Sequence, residues 1–215
     1  NNMIFPKSTA PFIALLNNDT KVEKDWLSKL MKKMQSDMAI GGVSSRQIPH
    51  ESSRLIDPKT NETSWCSGGH CLIRRLALDA SGFFDEKFFM YGEDVDLSWR
   101  MWLAGYKCVY VPEAVCRHNN DDAGHYRVRR LYYHVRNSIL LRYAYGGSAE
   151  IKKEIWRWVK EGLAAGIKRL SFKRSYAIFA GVAAHFFYTG YFFNKGKVLK
   201  ANPRFNEMRR RWITI

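Results

Sequence analysis

Between Phe84 and Leu97 the chain reads Phe-Asp-Glu-Lys-Phe-Phe-Met-Tyr-Gly-Glu-Asp-Val-Asp-Leu. Apolar bulk on this scale has to be anchored against a core, so the loop is held rather than free. Gly92 then releases the chain into Glu93-Asp94-Val95-Asp96, ahead of a helical pattern through Leu97, Met101 and Trp102. Carboxylates are thereby expected at a helix N-terminus, where the macrodipole favours their ionised form. A fixed, ionised carboxylate can act as a general base or as a cation ligand. An acidic first turn held by an aromatic plug accounts for the same residues without any chemistry.

A second acidic feature lies upstream. Phe12-Ile13-Ala14-Leu15-Leu16 is short, apolar and bounded by turn formers, which predicts a buried strand. It runs into Asn17-Asn18-Asp19-Thr20 and then an amphipathic helix through Trp26, Leu27, Leu30, Met31 and Met34. Oxygen ligands at the carboxyl end of a strand stand where α/β sheets bind ligands. They suit a hard divalent cation, Mg²⁺ or Mn²⁺, holding a diphosphate. The same four residues also form a turn and helix cap in many proteins.

In this order the two motifs, with the pieces between and after them, resemble family-2 inverting glycosyltransferases of the GT-A fold, above all the bacterial rhamnosyltransferase-like branch. The matching pieces are Leu16 to Thr20 with Trp26-Leu27, Gly68-Gly69 through Leu72 to Arg75, Gly82 to Glu86, and Phe88 to Leu97. Arg100, Ala104-Gly105-Tyr106, Val111 to Ala114, His118 and Arg136-Asn137 continue the series, so the resemblance covers about residues 12 to 142.

The resemblance implies a partial GT-A fold, a Rossmann-like mixed α/β sheet with flanking helices, followed by a helical appendage. It implies roles as well. Asp19 stands where the last acidic residue of a DxD-type motif binds the divalent cation, and Asn17 occupies that motif's first position as a neutral ligand. His118 matches a further metal or diphosphate contact. Asp94 matches the base that deprotonates the acceptor hydroxyl, and Glu93 orients the acceptor or the loop. Gly68 and Gly69 match a segment lining the sugar site, where a missing Cβ permits close approach. Trp65 is read either as an apolar wall for a sugar ring or as a core residue. Arg136, within an arginine-rich stretch, would meet a donor or lipid phosphate.

Physical chemistry supports that division of labour. A sugar hydroxyl needs a base within hydrogen-bond reach, and a nucleoside diphosphate leaves well only when its growing charge is neutralised. One displacement between the two groups inverts the anomeric carbon. A glycosidase also uses two carboxylates, but it has no need of the strand-end Asn-Asn-Asp or the later His. Members resembling this chain begin with further β/α units for the nucleotide base. The expectation is therefore a fragment that retains the metal and acceptor half.

Charge divides the chain. Residues 1 to 124 carry 15 Lys and Arg against 16 Asp and Glu, whereas residues 125 to 215 carry 20 against 4. The excess of +15 thus belongs to the C-terminal part and calls for a polyanionic partner. Ile151, Ile155, Val159, Leu163 and Ile167 alternate with Lys152, Lys153, Arg157, Lys160 and Lys168, with Trp158 alongside. This is the pattern of a basic amphipathic helix with an interfacial aromatic. Tyr176 to Phe193 then lacks any Lys, Arg, Asp or Glu, and fits an interfacial helix, a protein-packed helix or a short span.

The expected organisation is a metal- and acceptor-binding portion over 1–145 and a basic helical region over 146–215. The implied partners are a nucleotide-sugar donor, a glycan or lipid-linked acceptor in envelope polysaccharide synthesis, and an anionic membrane at the cytoplasmic face. A catalytically incomplete membrane-binding remnant is the alternative. Nucleic acid ranks lower: Arg127, Arg129, Arg130 and Arg136 interleave with Tyr132 and Tyr133, but no nucleic-acid fold signature accompanies them. His125 and His134 are read as structural. Cys66, Cys71, Cys108 and Cys116 lack CxxC spacing, which argues for reduced thiols rather than a zinc site.

Overall fold

The computed structural model describes residues 2–3, 5–51, 54–118, 124–167 and 170–213, apart from the side chains of residue 6 and residues 124–127. Lys168 and the side chains of His125 and Arg127 therefore lie outside the described residues. The chain forms two compact units. One comprises Asn1–Asp85, Glu93–Asn120 and Asn206–Thr214; the other comprises Glu86–Gly92 and Asp121–Phe205.

The first unit is built on a five-stranded mixed sheet. Its strands are β1 (Phe12–Leu16), β2 (Thr20–Val22), β3 (Ile40–Ile48), β4 (His70–Arg74) and β5 (Lys107–His118), in the order β1-β4-β3-β5-β2. β3 and β5 are parallel, and the other pairs are antiparallel. Alternation along each strand sorts side chains to two faces. On one face Leu72 and Val109 meet Trp26, Leu30 and Met34 of α1 (Trp26–Gln35). On the other, Cys71, Ile73 and Cys108 meet Ala77 and Leu78 of α2 (Arg75–Ser81) and Leu97 and Met101 of α3 (Glu93–Leu103).

One expectation needs correction here. Phe12 to Leu16 is an edge strand, and of its residues only Leu15 is buried. Apolar composition alone does not distinguish an edge from a centre, because burial is set by which strands pair. β4 is the strand buried along its whole length, although it begins and ends in His70 and Arg74.

The second unit packs α5 (Ser148–Ile167), α6 (Phe172–Ala184) and α7 (Thr189–Lys200) around α4 (Gly124–Tyr145). Glycine sets the closest approach. A Cβ on Gly196 of α7 would lie 2.6 Å from the Tyr143 carbonyl oxygen of α4. The last helix, α8 (Phe205–Trp212), brings Trp212 against Trp102 at 5.1 Å in the first unit, and Arg211 there pairs with Asp57 and Glu62.

Two sequence expectations change in the second unit. Trp158 is not interfacial: it is buried on α5, where its indole N–H meets Ser138 Oγ at 2.8 Å and Glu154 Oε1 at 3.0 Å. The exposed tryptophan is Trp156. The uncharged stretch Tyr176 to Phe193 is not one helix but is divided by a 3-10 turn, His185–Tyr188. Among the described residues no helix is long and apolar enough to cross a membrane.

Candidate active site

Two strand pairings assemble the first half of the site. Asn17 N–H donates to the Gly69 carbonyl at 2.9 Å, which continues the β1–β4 ladder past Leu16. Thr20 N–H and Oγ1 both donate to the Asn17 carbonyl, so Asn17 to Thr20 is a closed turn. β2 then pairs Thr20 with His118 on β5. That register sets Asp19 Oδ1 3.0 Å from His118 Nε2. Both atoms are buried, and among the described residues neither makes a hydrogen bond.

The two atoms face each other at ion-pair distance, and buried polar atoms left without a hydrogen bond are rare. Two ligand atoms bound to one cation at about 2.1 Å and at right angles would lie about 3.0 Å apart. The 3.0 Å separation is the one that two ligands of a single small divalent cation would show, and Asn17 lies on the same turn. Among the described residues no group of three or more His, Cys, Asp and Glu could hold a metal. A two-residue protein set suits Mg²⁺ or Mn²⁺, which keep waters and take substrate phosphate oxygens.

The second half of the site is the start of α3. Gly68 N–H donates to Asp94 Oδ2 at 3.0 Å, and Val95 N–H donates to Oδ1 at 2.9 Å. Ser98 ties the same turn to the preceding loop. Its hydroxyl donates to the Asp94 carbonyl at 2.7 Å and accepts the Cys66 N–H at 3.0 Å. The Ser67–Gly69 loop thus touches Asp94 on one flank and Asn17 on the other.

The two glycines differ in how closely they are approached. A Cβ on Gly69 would meet Asn17 Nδ2 at 2.8 Å, and one on Gly68 would meet Asp94 Cβ at 3.4 Å. At Gly69 the missing Cβ makes room for the Asn17 side chain, whereas at Gly68 a Cβ would make ordinary contact with Asp94.

The electrostatics reverse one expectation. A helix N-terminus was expected to keep Glu93 and Asp94 ionised. Burial instead pushes the Glu93 carboxyl up to about 8, helped by the neighbouring Asp94 charge. Burial also raises Asp94, against its hydrogen bonds from Gly68 and Val95 and against the Arg54 charge. Desolvation outweighs the dipole because the dipole term is about 1 kcal/mol while burial can move a carboxyl by several units. Among the described residues the buried Glu93 Oε2 makes no hydrogen bond, so nothing there offsets the cost of a charge on it. A carboxyl pair of this kind can hold or accept a proton near neutral pH.

Other sequence-selected residues find different surroundings. Trp65 is half-buried, with the Arg54 guanidinium 5.8 Å from its ring centre. Arg136 belongs to the second unit and is buried. Its guanidinium donates to the carbonyls of Lys87 at 2.9 Å and Phe88 at 2.7 Å, and to Asn137 Oδ1 at 2.8 Å. Asn137 Nδ2 meets the carbonyls of Phe88, Met90 and Tyr91. These two residues hold the loop before Gly92, in which Phe89 and Tyr91 take left-handed backbone conformations. Arg136 is thus committed to loop carbonyls instead of being presented to a phosphate. His134 is held neutral by burial, and the four cysteines are buried free thiols.

Sequence reasoning missed Arg54, Ser44, His70 and Ser98. Ser44 and Ser98 are fully buried polar residues whose hydroxyls carry the loop hydrogen bonds. His70 follows Gly69, and burial together with Arg54 pushes its imidazole down to about 4. Nothing in the spacing of these residues marks them.

The mixed sheet with flanking helices is similar to GT-A glycosyltransferases. It resembles the mannosyltransferase PcManGT from Pyrobaculum calidifontis, solved in complex with GDP-Man and Mn²⁺, with a TM-score of 0.50 at 15% identity over 86% of this chain and 65% of that one. It also resembles GalNAc-T7, solved with UDP, GalNAc and Mn²⁺, with a TM-score of 0.54 at 13% identity over 94% of this chain and 44% of that one. A 76-residue stretch is 42% identical to the N-acetylglucosaminyl-diphospho-decaprenol L-rhamnosyltransferase of Mycobacterium tuberculosis, covering 33% of this chain and 25% of that protein. Over 197 residues the chain is 24% identical to the O-antigen chain rhamnosyltransferase WbaN of Salmonella anatum, covering 80% of this chain and 61% of that protein. The chain thus spans less than two thirds of the length of either relative. Residues 43–195 match the family model for glycosyl transferase family group 2, and the chain belongs to that family.

Proposed function

We propose that this chain carries the acceptor-activating and cation-binding part of an inverting glycosyltransferase of cell-envelope polysaccharide assembly. The donor is a nucleotide sugar, and the acceptor is a glycan or a lipid-linked sugar. The observation that carries this reading is the Ser67–Gly69 loop, which holds the Asp94 carboxylate and also packs on the Asn17 turn. The rhamnosyltransferase names of the sequence relatives support a deoxyhexose donor and an acceptor on a polyprenyl diphosphate.

In this reading Asp94 removes the proton from the acceptor hydroxyl as it attacks the anomeric carbon. Glu93, protonated through neutral pH, fixes the local charge at one proton shared by the pair. Asp19, His118 and Asn17 would hold a divalent cation, which when bound neutralises the charge growing on the departing diphosphate. Trp65, Gly68 and Gly69 border the sugar. The test is donor-dependent transfer by the full-length protein. Asp94→Asn should lower kcat by about 10²- to 10⁴-fold while donor binding stays nearly unchanged. Near wild-type turnover by this variant would reject the assignment.

The partner of the second unit in this reading is an anionic membrane, met peripherally from the cytoplasmic side. Phe172, Tyr176 and Phe179 occupy i, i+4 and i+7 on α6 and are exposed, and Phe186 and Phe187 follow in the 3-10 turn. Lys173 and Arg174 accompany them. Exposed aromatics beside cations suit a lipid headgroup interface. Sedimentation with anionic vesicles should be lost in a Tyr176→Asp, Phe187→Asp double variant. Equal binding by that variant would remove the ridge from the proposal.

A further inference from the structure

Arg54 has a fully buried side chain in a segment with no recognisable motif. Burying a guanidinium is expensive unless its donors are met, and here both Nη atoms find acceptors while Nε finds none among the described residues. Nη1 donates to Ser44 Oγ at 2.8 Å; Nη2 donates to the Ser45 carbonyl at 3.2 Å and to Glu51 Oε1 at 2.8 Å. The guanidinium also stacks over Tyr110, 4.8 Å from the ring centre. Tyr110 in turn donates its hydroxyl to Glu51 Oε2 at 2.7 Å. The head is therefore fixed on three sides by β3, by the Glu51 carboxylate and by β5.

What that fixation achieves is visible one bond further on. Ser44 Oγ, held by Arg54, accepts the Ser67 N–H at 3.2 Å. Ser67 opens the loop whose next residue, Gly68, donates to Asp94. A continuous path of hydrogen bonds and backbone thus runs from Arg54 through Ser44 and Ser67 to the α3 carboxylate. The same cation acts on Asp94 through space and opposes the effect of burial. It acts on His70 in the opposite sense, helping to keep that imidazole neutral.

We propose that Arg54 is the positioning residue of the acceptor base: it locks the Ser67–Gly69 loop through Ser44 and thereby aims the Asp94 carboxylate. This rests on the reading of Asp94 as base. Among the described residues the charged and titratable groups facing Asp94 are Glu93 beside it, Arg54, and the Cys71 thiol of β4, which burial keeps protonated. Arg54 is the one cation of that set. Its loss takes away both the loop's anchor and the field that favours the ionised carboxylate.

The test combines a structural readout with a catalytic one. The full chain, with ¹³C-labelled Asp side chains, is titrated as wild type, Arg54→Gln and Arg54→Lys, with Asp94→Asn identifying the resonance. Arg54→Gln should move the Asp94 titration to higher pH. It should also shift the Gly68 amide and lower kcat about tenfold or more, with its acid limb displaced in the same direction. Arg54→Lys keeps the charge but not the fork, so it should shift the Gly68 amide while restoring most of the Asp94 titration. If Arg54→Gln does not fold, the lysine variant decides by the same amide. A folded variant with the Gly68 amide and the Asp94 titration both unchanged overturns the proposal. Wild-type transfer by Asp94→Asn would instead sink the base assignment, and the titration would still report whether Arg54 aims the carboxylate.

Discussion

Asp19 Oδ1 and His118 Nε2 stand 3.0 Å apart at the end of two paired strands, and among the described residues neither atom makes a hydrogen bond. The separation is produced by register: Thr20 lies opposite His118, Lys21 opposite Arg117 and Val22 opposite Cys116. A carboxylate that follows one strand is thus delivered to an imidazole that ends another. The short β2 aligns the two through three paired residues, and the closed Asn17–Thr20 turn carries Asp19 into that register.

His118→Ala should therefore weaken Mn²⁺ binding about tenfold or more in the presence of a nucleoside diphosphate, without unfolding the sheet. Electron paramagnetic resonance of free Mn²⁺ during titration measures this. An unchanged Mn²⁺ affinity would remove His118 from the cation site.

The two glycines of the loop should respond differently to alanine. At Gly69 the added Cβ falls 2.8 Å from Asn17 Nδ2, inside any normal contact, so the Asn17 side chain must turn away. At Gly68 it falls 3.4 Å from Asp94 Cβ, which is ordinary contact. Gly69→Ala should raise the cation and donor requirement, and Gly68→Ala should leave it near wild type. Metal-dependent donor binding by calorimetry checks the pair, and equal effects would show that the approach to Asn17 is not the constraint.

Asn137 tests the loop before Gly92. Its amide donates to the carbonyls of Phe88, Met90 and Tyr91, and no other residue type of that size supplies two donors and an acceptor. Asn137→Ala takes the amide donors from the part-buried Met90 and Tyr91 carbonyls, while the Phe88 carbonyl keeps Arg136, so the loss is about 1–3 kcal/mol. Asn137→Asp should do no better, because an ionised carboxylate cannot donate. Denaturant unfolding of both variants should show losses of similar size, and stability retained by Asn137→Asp would contradict this account.

The parts of the site legible in the sequence were those made locally. Asn17 to Thr20 and Glu93-Asp94 are each contiguous, and each sits where an apolar segment gives way to polar residues. Their mutual placement was not legible. It depends on Gly68 approaching Asp94 and on Gly69 approaching Asn17, and both approaches come from strand pairing and the packing of α3. Arg54 lay in an unremarkable polar stretch, because a buried charge becomes visible only when its partners from β3 and β5 are known. Arg136 was noticed for its charge, yet its environment is a set of loop carbonyls. The uncharged Tyr176 to Phe193 stretch had the composition of a single helix, but the 3-10 turn at His185–Tyr188 divides it. Ionisation was misjudged for a related reason: the helix dipole is readable from sequence, whereas desolvation is a property of the packed structure.

Glu93 turns that desolvation into a measurable stability profile. An unfolded glutamate loses its proton near 4.5, whereas burial holds the folded group's proton to about 8. Between those values the native state binds more protons than the unfolded state, so stability falls as pH rises. The contribution is fully present below the unfolded value and gone above the folded one. Asp94 is shifted in the same direction and adds to the slope. Glu93→Gln keeps the shape of the side chain and removes its titration. The variant should melt close to wild type at pH 4, hold its Tm through neutral pH where wild type declines, and be the more stable of the two at pH 9. Thermal melts of both proteins across that range decide it. Parallel profiles would mean that Glu93 is already ionised at neutral pH, and that the carboxyl pair at the start of α3 carries two charges rather than one.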